Sequence, residues 1–374
     1  MLPWSADLAG RIEEHVISSE LLRGNPLGDP HDRPVLVYLP PGYDEEPDRG
    51  YPSVYVIQGY TGHVAMWRNR PEFRQPFPER ADKMFASPGG PPPAVVVYAD
   101  AWTAYGGSQF VDSPGTGRYH SYLCNEVVPW VDARFRTLPD AAHRAIMGKS
   151  SGGFGAMITP MLRPDLFGAL ATHAGDALYE YCYITEFPAA VRHLRKYDGD
   201  IWRWWSDFRG REPFTREEDI HLIMLLGVSA CFSARDDGTV DLPFDPATGE
   251  LRPAVWQRWL DWDPVRMVPD HADALRGLRG IWIDAGVRDE YYLDVGAQAF
   301  RSALSEAGVA DELIHFELFE AGHMGIDYRY PMSLAWLCGR IAPGTELVAG
   351  SGIAKYGLRH RAAVSGSGTF PAYQ

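Results

Sequence analysis

The sequence has little of what would make it a disulfide scaffold, a membrane span or a nucleic-acid binder. Its 374 residues hold four cysteines, Cys124, Cys182, Cys231 and Cys338, widely scattered and without a CxxC pair. That spacing supplies neither a zinc knuckle nor a disulfide framework, so reduced thiols are expected. No apolar run approaches the roughly 18–20 residues of a membrane-spanning helix. The opening "MLPWSADLAGRIEEHV" lacks the basic region followed by an apolar one that marks a secretory signal, and a cytoplasmic location is the expectation. There is no basic run to track phosphates, and a net charge of −14 argues against nucleic acid or an anionic membrane as partner. No internal repeat is visible at periods of about 20–50 residues.

What is present suits a globular protein with a sizeable core: 45% hydrophobic, 13% aromatic and 22% charged residues. Short apolar or β-branched runs recur at 33–43, 51–60, 92–102, 144–150, 167–176, 278–286 and 312–322, the first two joined by a polar turn. Near-continuous apolar runs of that length predict strands buried on both faces. Segments with helical spacing fall between them, at 120–135, after residue 152 and at 292–308. The alternation predicts an α/β fold with a mostly parallel central sheet flanked by helices. One region breaks it. Residues 177–263 read as aromatic-rich helices and turns, expected to be a lid inserted over one end of the sheet. The predicted organisation is therefore a core in two parts, 1–176 and 264–341, the insertion at 177–263, and a Gly- and Ser-rich tail at 342–374.

The chemistry is concentrated in "HRAIMGKSSGGFGAM" (143–157), where two serines stand between glycines. A nucleophile elbow turns sharply from strand to helix, and the residues two before and two after the serine approach too closely for side chains. Gly148 and Gly152 flank Ser150 at that spacing, whereas Ser151 would need glycine at position 149, which is lysine. Ser150 is therefore the candidate nucleophile, and the Ser151 backbone N–H a candidate oxyanion donor. In this topology the acid and the base follow the serine along the chain. His323, in "FEAGHMGIDYRYP", stands in a loop directly after the last predicted strand. "IWIDAGVRDEYYLD" offers Asp289, Glu290 and Asp284 as the acid, in that order of preference. The second oxyanion donor is expected from the loop in "YVIQGYTGH", with Gly59 permitting close approach and the Tyr60 N–H aimed at the developing charge. Trp256 and Trp259 lie at i, i+3 and are read as packing. Trp204 and Trp205 belong to a cluster spread over more than one helical face and are candidate substrate contacts. His173 and Asp176 could ligate a metal but lack a third partner, and neither metal nor organic cofactor is expected.

Taken together, these stretches resemble the Putative esterase family of α/β-hydrolases, which includes esterase D, S-formylglutathione hydrolase and the antigen 85 mycolyltransferases. "RPVLVYLPPGYDEEPDRGYPSVYVIQGYTG" is similar to the family's opening strands and oxyanion loop, and "IMGKSSGGFGAM" to its elbow. "GGSQFVDSPGTGRYHSYLCNEVVPWVDARF" resembles the segment before the nucleophile strand, "DAGVRDEYYLD" the acid loop and "EAGHMG" the histidine loop. The resemblance covers 16–176 and 264–340 and carries the acid onto Asp289. It departs at Gln58, where the family has His or Asp, at His173 and Asp176, and in the insertion, which an S-formylglutathione hydrolase does not need. It implies a serine hydrolase cleaving a small-molecule carboxylic ester through an acyl-enzyme, with a bulky or aromatic substrate suggested by the insertion. An acyltransferase using the same triad, an amidase and a siderophore-type ester hydrolase share this pattern, and a homo-oligomer is compatible with it.

Overall fold

The structure, a computed structural model, describes residues 7–69, 74–211, 216 and 218–344. Eight strands form the central sheet: β1 (Arg11–Ser18), β2 (Asp32–Leu39), β3 (Ser53–Ile57), β4 (Val95–Ala99), β5 (Arg144–Ser150), β6 (Ala169–Gly175), β7 (Gly280–Gly286) and β8 (Ile314–Phe319). Their spatial order is β1-β2-β4-β3-β5-β6-β7-β8. The β1–β2 and β2–β4 pairs are antiparallel, and every pair from β4 to β8 is parallel. The two opening apolar runs become β2 and β3, but β4 lies between them, so they are not a hairpin. The first strand, "RIEEHVIS", carries too many charged residues to read as a buried run; it pairs on one side only and leaves Val16 exposed.

The central strands are buried on both faces because helices cover both. Along β4, Val95, Val97 and Ala99 enter one apolar cluster while Val96 and Tyr98 enter the other. Helices α1 (Phe77–Ala86) and α8 (Arg329–Ile341) cover the second face through Phe77, Ala81, Leu334 and Leu337. On the first face lie α2 (Ser151–Leu162) and α7 (Leu293–Glu306), with Phe154, Ile158 and Phe300 in the core.

Between Gly175 and Gly280 the chain leaves the sheet and builds α3 (Phe187–Leu194), α4 (Ile201–Gly210), α5 (Asp219–Phe232) and α6 (Pro253–Leu260). Their aromatic residues are mostly internal: Trp204, Trp256 and Trp259 join the first-face core, and Trp259 donates its indole N–H to Ser233 Oγ at 2.9 Å. The four cysteines are buried free thiols. No helix among the described residues is long and apolar enough to cross a membrane. The tail expected from residue 342 lies, beyond residue 344, outside the described residues.

Candidate active site

The parallel strands all end at one edge, and the loops there converge on a cleft of about 470 Å³. Ser150 closes β5 and precedes α2 with φ 58° and ψ −129°, a left-handed turn that few L-residues adopt. The flanking glycines are a steric necessity. A Cβ on Gly148 would stand 2.4 Å from Gly152 O, and one on Gly152 would stand 2.6 Å from Ile57 O. Ser151 is the first residue of α2, where a backbone N–H has no acceptor within the helix.

His323 follows β8 and Asp289 follows β7. Both are buried, and His323 Nδ1 lies 2.8 Å from Asp289 Oδ2. Ser150 and His323 line the same cleft. Arg288 N donates to Ala321 O at 2.9 Å and ties the two loops together, while within its own loop the other oxygen of Asp289 accepts from Tyr291 N at 2.9 Å. The Tyr291 ring meets the imidazole edge-on, with centroids 5.0 Å apart. Glu290, the neighbouring acid, points elsewhere. Its carboxylate accepts from the His323 backbone N–H at 2.7 Å, which holds its pKa below the usual range and fixes the histidine loop without touching the ring.

Asp284 belongs to a separate centre. It is fully buried and takes hydrogen bonds from His173 Nδ1 at 2.6 Å, Trp282 Nε1 at 2.8 Å and Arg329 Nε at 2.8 Å. His173 Nε2 in turn meets Ser333 Oγ at 2.8 Å. Burial alone would raise the Asp284 pKa, but His173 and Arg329 outweigh it and bring it below the usual value.

Gly59 lies against the elbow, since a Cβ there would be 3.1 Å from Lys149 O and 3.4 Å from Ser150 Cβ. Next to it, Tyr60 and its loop line the cleft. The Tyr60 ring is buried, and its hydroxyl lies between the backbone oxygens of Tyr105 and Ile223, sharing its one proton with them. Glycine makes room for it, as a Cβ on Gly227 would fall 2.3 Å from that hydroxyl. The expected oxyanion loop is thus braced by α5 of the insertion. Gln58, where the family has His or Asp, braces the same loop from the sheet side: its amide donates to Ala99 O at 2.7 Å and accepts from Ala101 N at 2.9 Å.

Trp204 and Trp205, expected to reach the substrate, do not border the cleft. Trp204 is 0% exposed and donates its indole N–H to Asp219 Oδ1 at 2.8 Å. Trp205 packs edge-on against Tyr105, with centroids 5.0 Å apart, and stacks on Phe208. A cluster covering several helical faces serves the interior of the insertion rather than its opening. The insertion lines the cleft instead with Cys182, Tyr183 and the stripe Ile220, Met224 and Val228 on α5. The i, i+4, i+8 spacing of that stripe was the available signal.

Two further side chains flank Ser150. Lys149 lines the cleft, and burial pulls its pKa down to about 8 against the opposing pull of Asp289, Asp176 and Glu290. Asp176, just after β6, accepts from Ser151 Oγ at 3.0 Å, Tyr183 OH at 2.9 Å and Ser150 Oγ at 3.5 Å. Burial raises its pKa, and the donated hydrogen bonds pull it part of the way back. His173 and Asp176, the pair weighed as metal ligands, thus belong to different networks.

Comparison with known proteins agrees with this architecture. The model of the family described as Putative esterase matches residues 29–323. An esterase of Mycobacterium tuberculosis is 30% identical over 89 residues, 23% of this chain and 19% of that protein, so the match spans about a fifth of the relative's length. Among solved structures, a ferulic acid esterase is 18% identical, with 90% of this chain and 100% of that one covered and a TM-score of 0.56. S-formylglutathione hydrolase from Agrobacterium tumefaciens is 17% identical, with 90% and 98% covered and a TM-score of 0.54. At these identities the structural likeness carries the α/β-hydrolase fold.

Proposed function

Because the chain belongs to the Putative esterase family, we propose that it is a serine hydrolase cleaving a carboxylic ester through an acyl-enzyme on Ser150. The observation that carries this reading is the 2.8 Å contact between Asp289 and His323, whose ring lines the same cleft as a serine held at positive φ on a strand-to-helix turn. Asp289 holds His323 with Nε2 free to act as base. Ser150 Oγ attacks the carbonyl carbon while its proton passes to Nε2, giving a tetrahedral oxyanion. The backbone N–H groups of Tyr60 and Ser151 are the donors for that charge, each worth about 3–4 kcal/mol in comparable sites. Collapse breaks the ester C–O bond, and His323 returns the proton to the leaving alcohol. Water then attacks the acyl-enzyme by the same route, releasing the acid and restoring Ser150. The apolar lining of Trp67, Phe77, Met224 and Val228 supports an ester with a bulky or aromatic group. The test is turnover of a p-nitrophenyl acyl ester by the wild type and by Ser150→Ala. Loss of turnover in a folded variant is expected, and undiminished activity would overturn the assignment.

A further inference from the structure

A carboxylate that this mechanism does not use stands beside the nucleophile. Asp176 is 6% exposed and lines the cleft. Its Oδ2 is satisfied by Ser151 and Tyr183, but its Oδ1 has a single donor, Ser150 Oγ, at the long distance of 3.5 Å. Attack requires Ser150 to give that same proton to His323. Once it does, no donor among the described residues remains on Oδ1, and a buried acceptor left bare is costly.

A second acceptor lies along the same wall. Gln109 is 1% exposed, lines the cleft, and its Nε2 donates to Tyr183 OH at 3.3 Å. While Asp176 is ionised it can only accept, and that sets the direction of this chain. Tyr183 gives its one proton to Asp176, so its oxygen takes the Gln109 amide N–H, and Gln109 presents Oε1 as an acceptor. That oxygen is buried without a partner. Gln109 and the following Phe110 both sit at φ 54°, and side chains held in such backbone cluster at functional sites.

We propose that Asp176 Oδ1 and Gln109 Oε1 form a subsite that reads a hydrogen-bond donor, so that the preferred ester carries a hydroxyl or an ammonium on the carbon next to its reacting carbonyl. This rests on Ser150 being the nucleophile. A donor at that position replaces the Ser150 hydroxyl on Asp176 as the proton leaves, whereas a methyl group leaves the acceptor bare. Sites built to bond a substrate donor discriminate strongly against analogues that lack it. Lys149 faces the same cleft and, while protonated, favours the hydroxyl over the ammonium.

The experiment compares kcat/KM for 4-nitrophenyl esters of 2-hydroxy-, 2-amino- and 2-methylhexanoic acid. Ratios are taken within each protein, so a general loss of activity cancels. The wild type should favour at least one donor-bearing ester over the 2-methyl ester by roughly tenfold or more. Asp176→Asn should bring that ratio towards one, and Gln109→Met should lower it. Tyr183→Phe, which removes one hydroxyl, should lower it too and serves if Asp176→Asn fails to fold. A wild type that turns over the 2-methyl ester as well as both donor esters overturns the subsite alone. So does a preference that survives in Asp176→Asn or, if that variant does not fold, in Tyr183→Phe. If the wild type hydrolyses none of the three, or Ser150→Ala hydrolyses them undiminished, the serine-hydrolase reading falls and the subsite with it.

Discussion

Two buried histidine–aspartate pairs lie among the described residues, alike in their contact and different in their setting. His323 and Asp289 meet at 2.8 Å, and His173 and Asp284 at 2.6 Å, each through Nδ1. Each has a serine associated with it, Ser150 in the first case and Ser333 in the second. The first pair stands on loops beyond the sheet edge, and its histidine borders the cleft. The second lies within β6 and β7 beneath α8, where His173, Asp284 and Ser333 are fully buried and Tyr330 packs 5.0 Å from the His173 ring. Ser333 spends its hydroxyl on Tyr330 O. It also lies inside a helix rather than on a strained turn. Serine, histidine and aspartate in hydrogen-bonded order are therefore not enough to make a site. What separates the two settings is access: Ser150 and His323 border the cleft, whereas Ser333 and His173 are sealed in the core.

That contrast is best tested at the serines and carboxylates. Ser150→Ala should show the largest effect, a loss in kcat on the order of 10⁶ as in other triads with little change in melting temperature. Asp289→Asn should follow, with a loss of about 10⁴ through the wrong imidazole tautomer. Glu290→Gln should cost on the order of tenfold or less, since it weakens only a backbone hydrogen bond to the histidine loop; the reverse order of these two would move the acid by one residue. Asp284→Ala should do the opposite of Ser150→Ala. Removing a carboxylate that satisfies His173, Trp282 and Arg329 should cost about 3–5 kcal/mol of stability, read by urea unfolding, while activity per folded molecule persists. If Asp284→Ala abolished activity in folded protein, the two pairs would not be functionally distinct.

The sequence made the candidate serine turn more legible than the cleft around it, for a physical reason. The Ser150 elbow is a local steric problem, and Gly148 and Gly152 announce it because no side chain fits there. Seven of the eight strands were legible as apolar runs, while charged, one-sided β1 was not. Strand order was beyond reach, as β4 intervenes between neighbours in sequence by long-range pairing. The cleft wall depends on which face of the insertion turns inward, and that is decided by tertiary packing. Trp204 was misleading because a large aromatic residue satisfied by Asp219 is indistinguishable in sequence from one awaiting a ligand. Tyr183, Gln109 and Asp176 meet only in the folded chain.

The smallest predicted effect separates the two carboxylates by their cations. Asp284 is bonded by Arg329, whose guanidinium stays charged at any working pH, whereas the cation acting on Asp289 from the cleft is Lys149. Burial lowers the Lys149 pKa to about 8 in the folded protein, against an ordinary value of 10.5. A lysine with a depressed folded pKa opposes folding below that pKa, where both states are charged. The opposition fades as pH rises through about 8 and is gone above the unfolded value near 10.5. Between those limits the unfolded chain holds more protons, so this group makes a positive contribution to the slope of stability with pH. Lys149→Met should remove that contribution, seen as a flatter unfolding free energy from pH 8 to 10 than in the wild type. Arg329→Met should destabilise the protein throughout that window by taking the guanidinium from buried Asp284, which keeps only His173 and Trp282, without changing the slope there. Equal slopes in wild type and Lys149→Met would mean that Lys149 keeps its ordinary affinity for protons, and the electrostatic distinction between the two pairs would then fail.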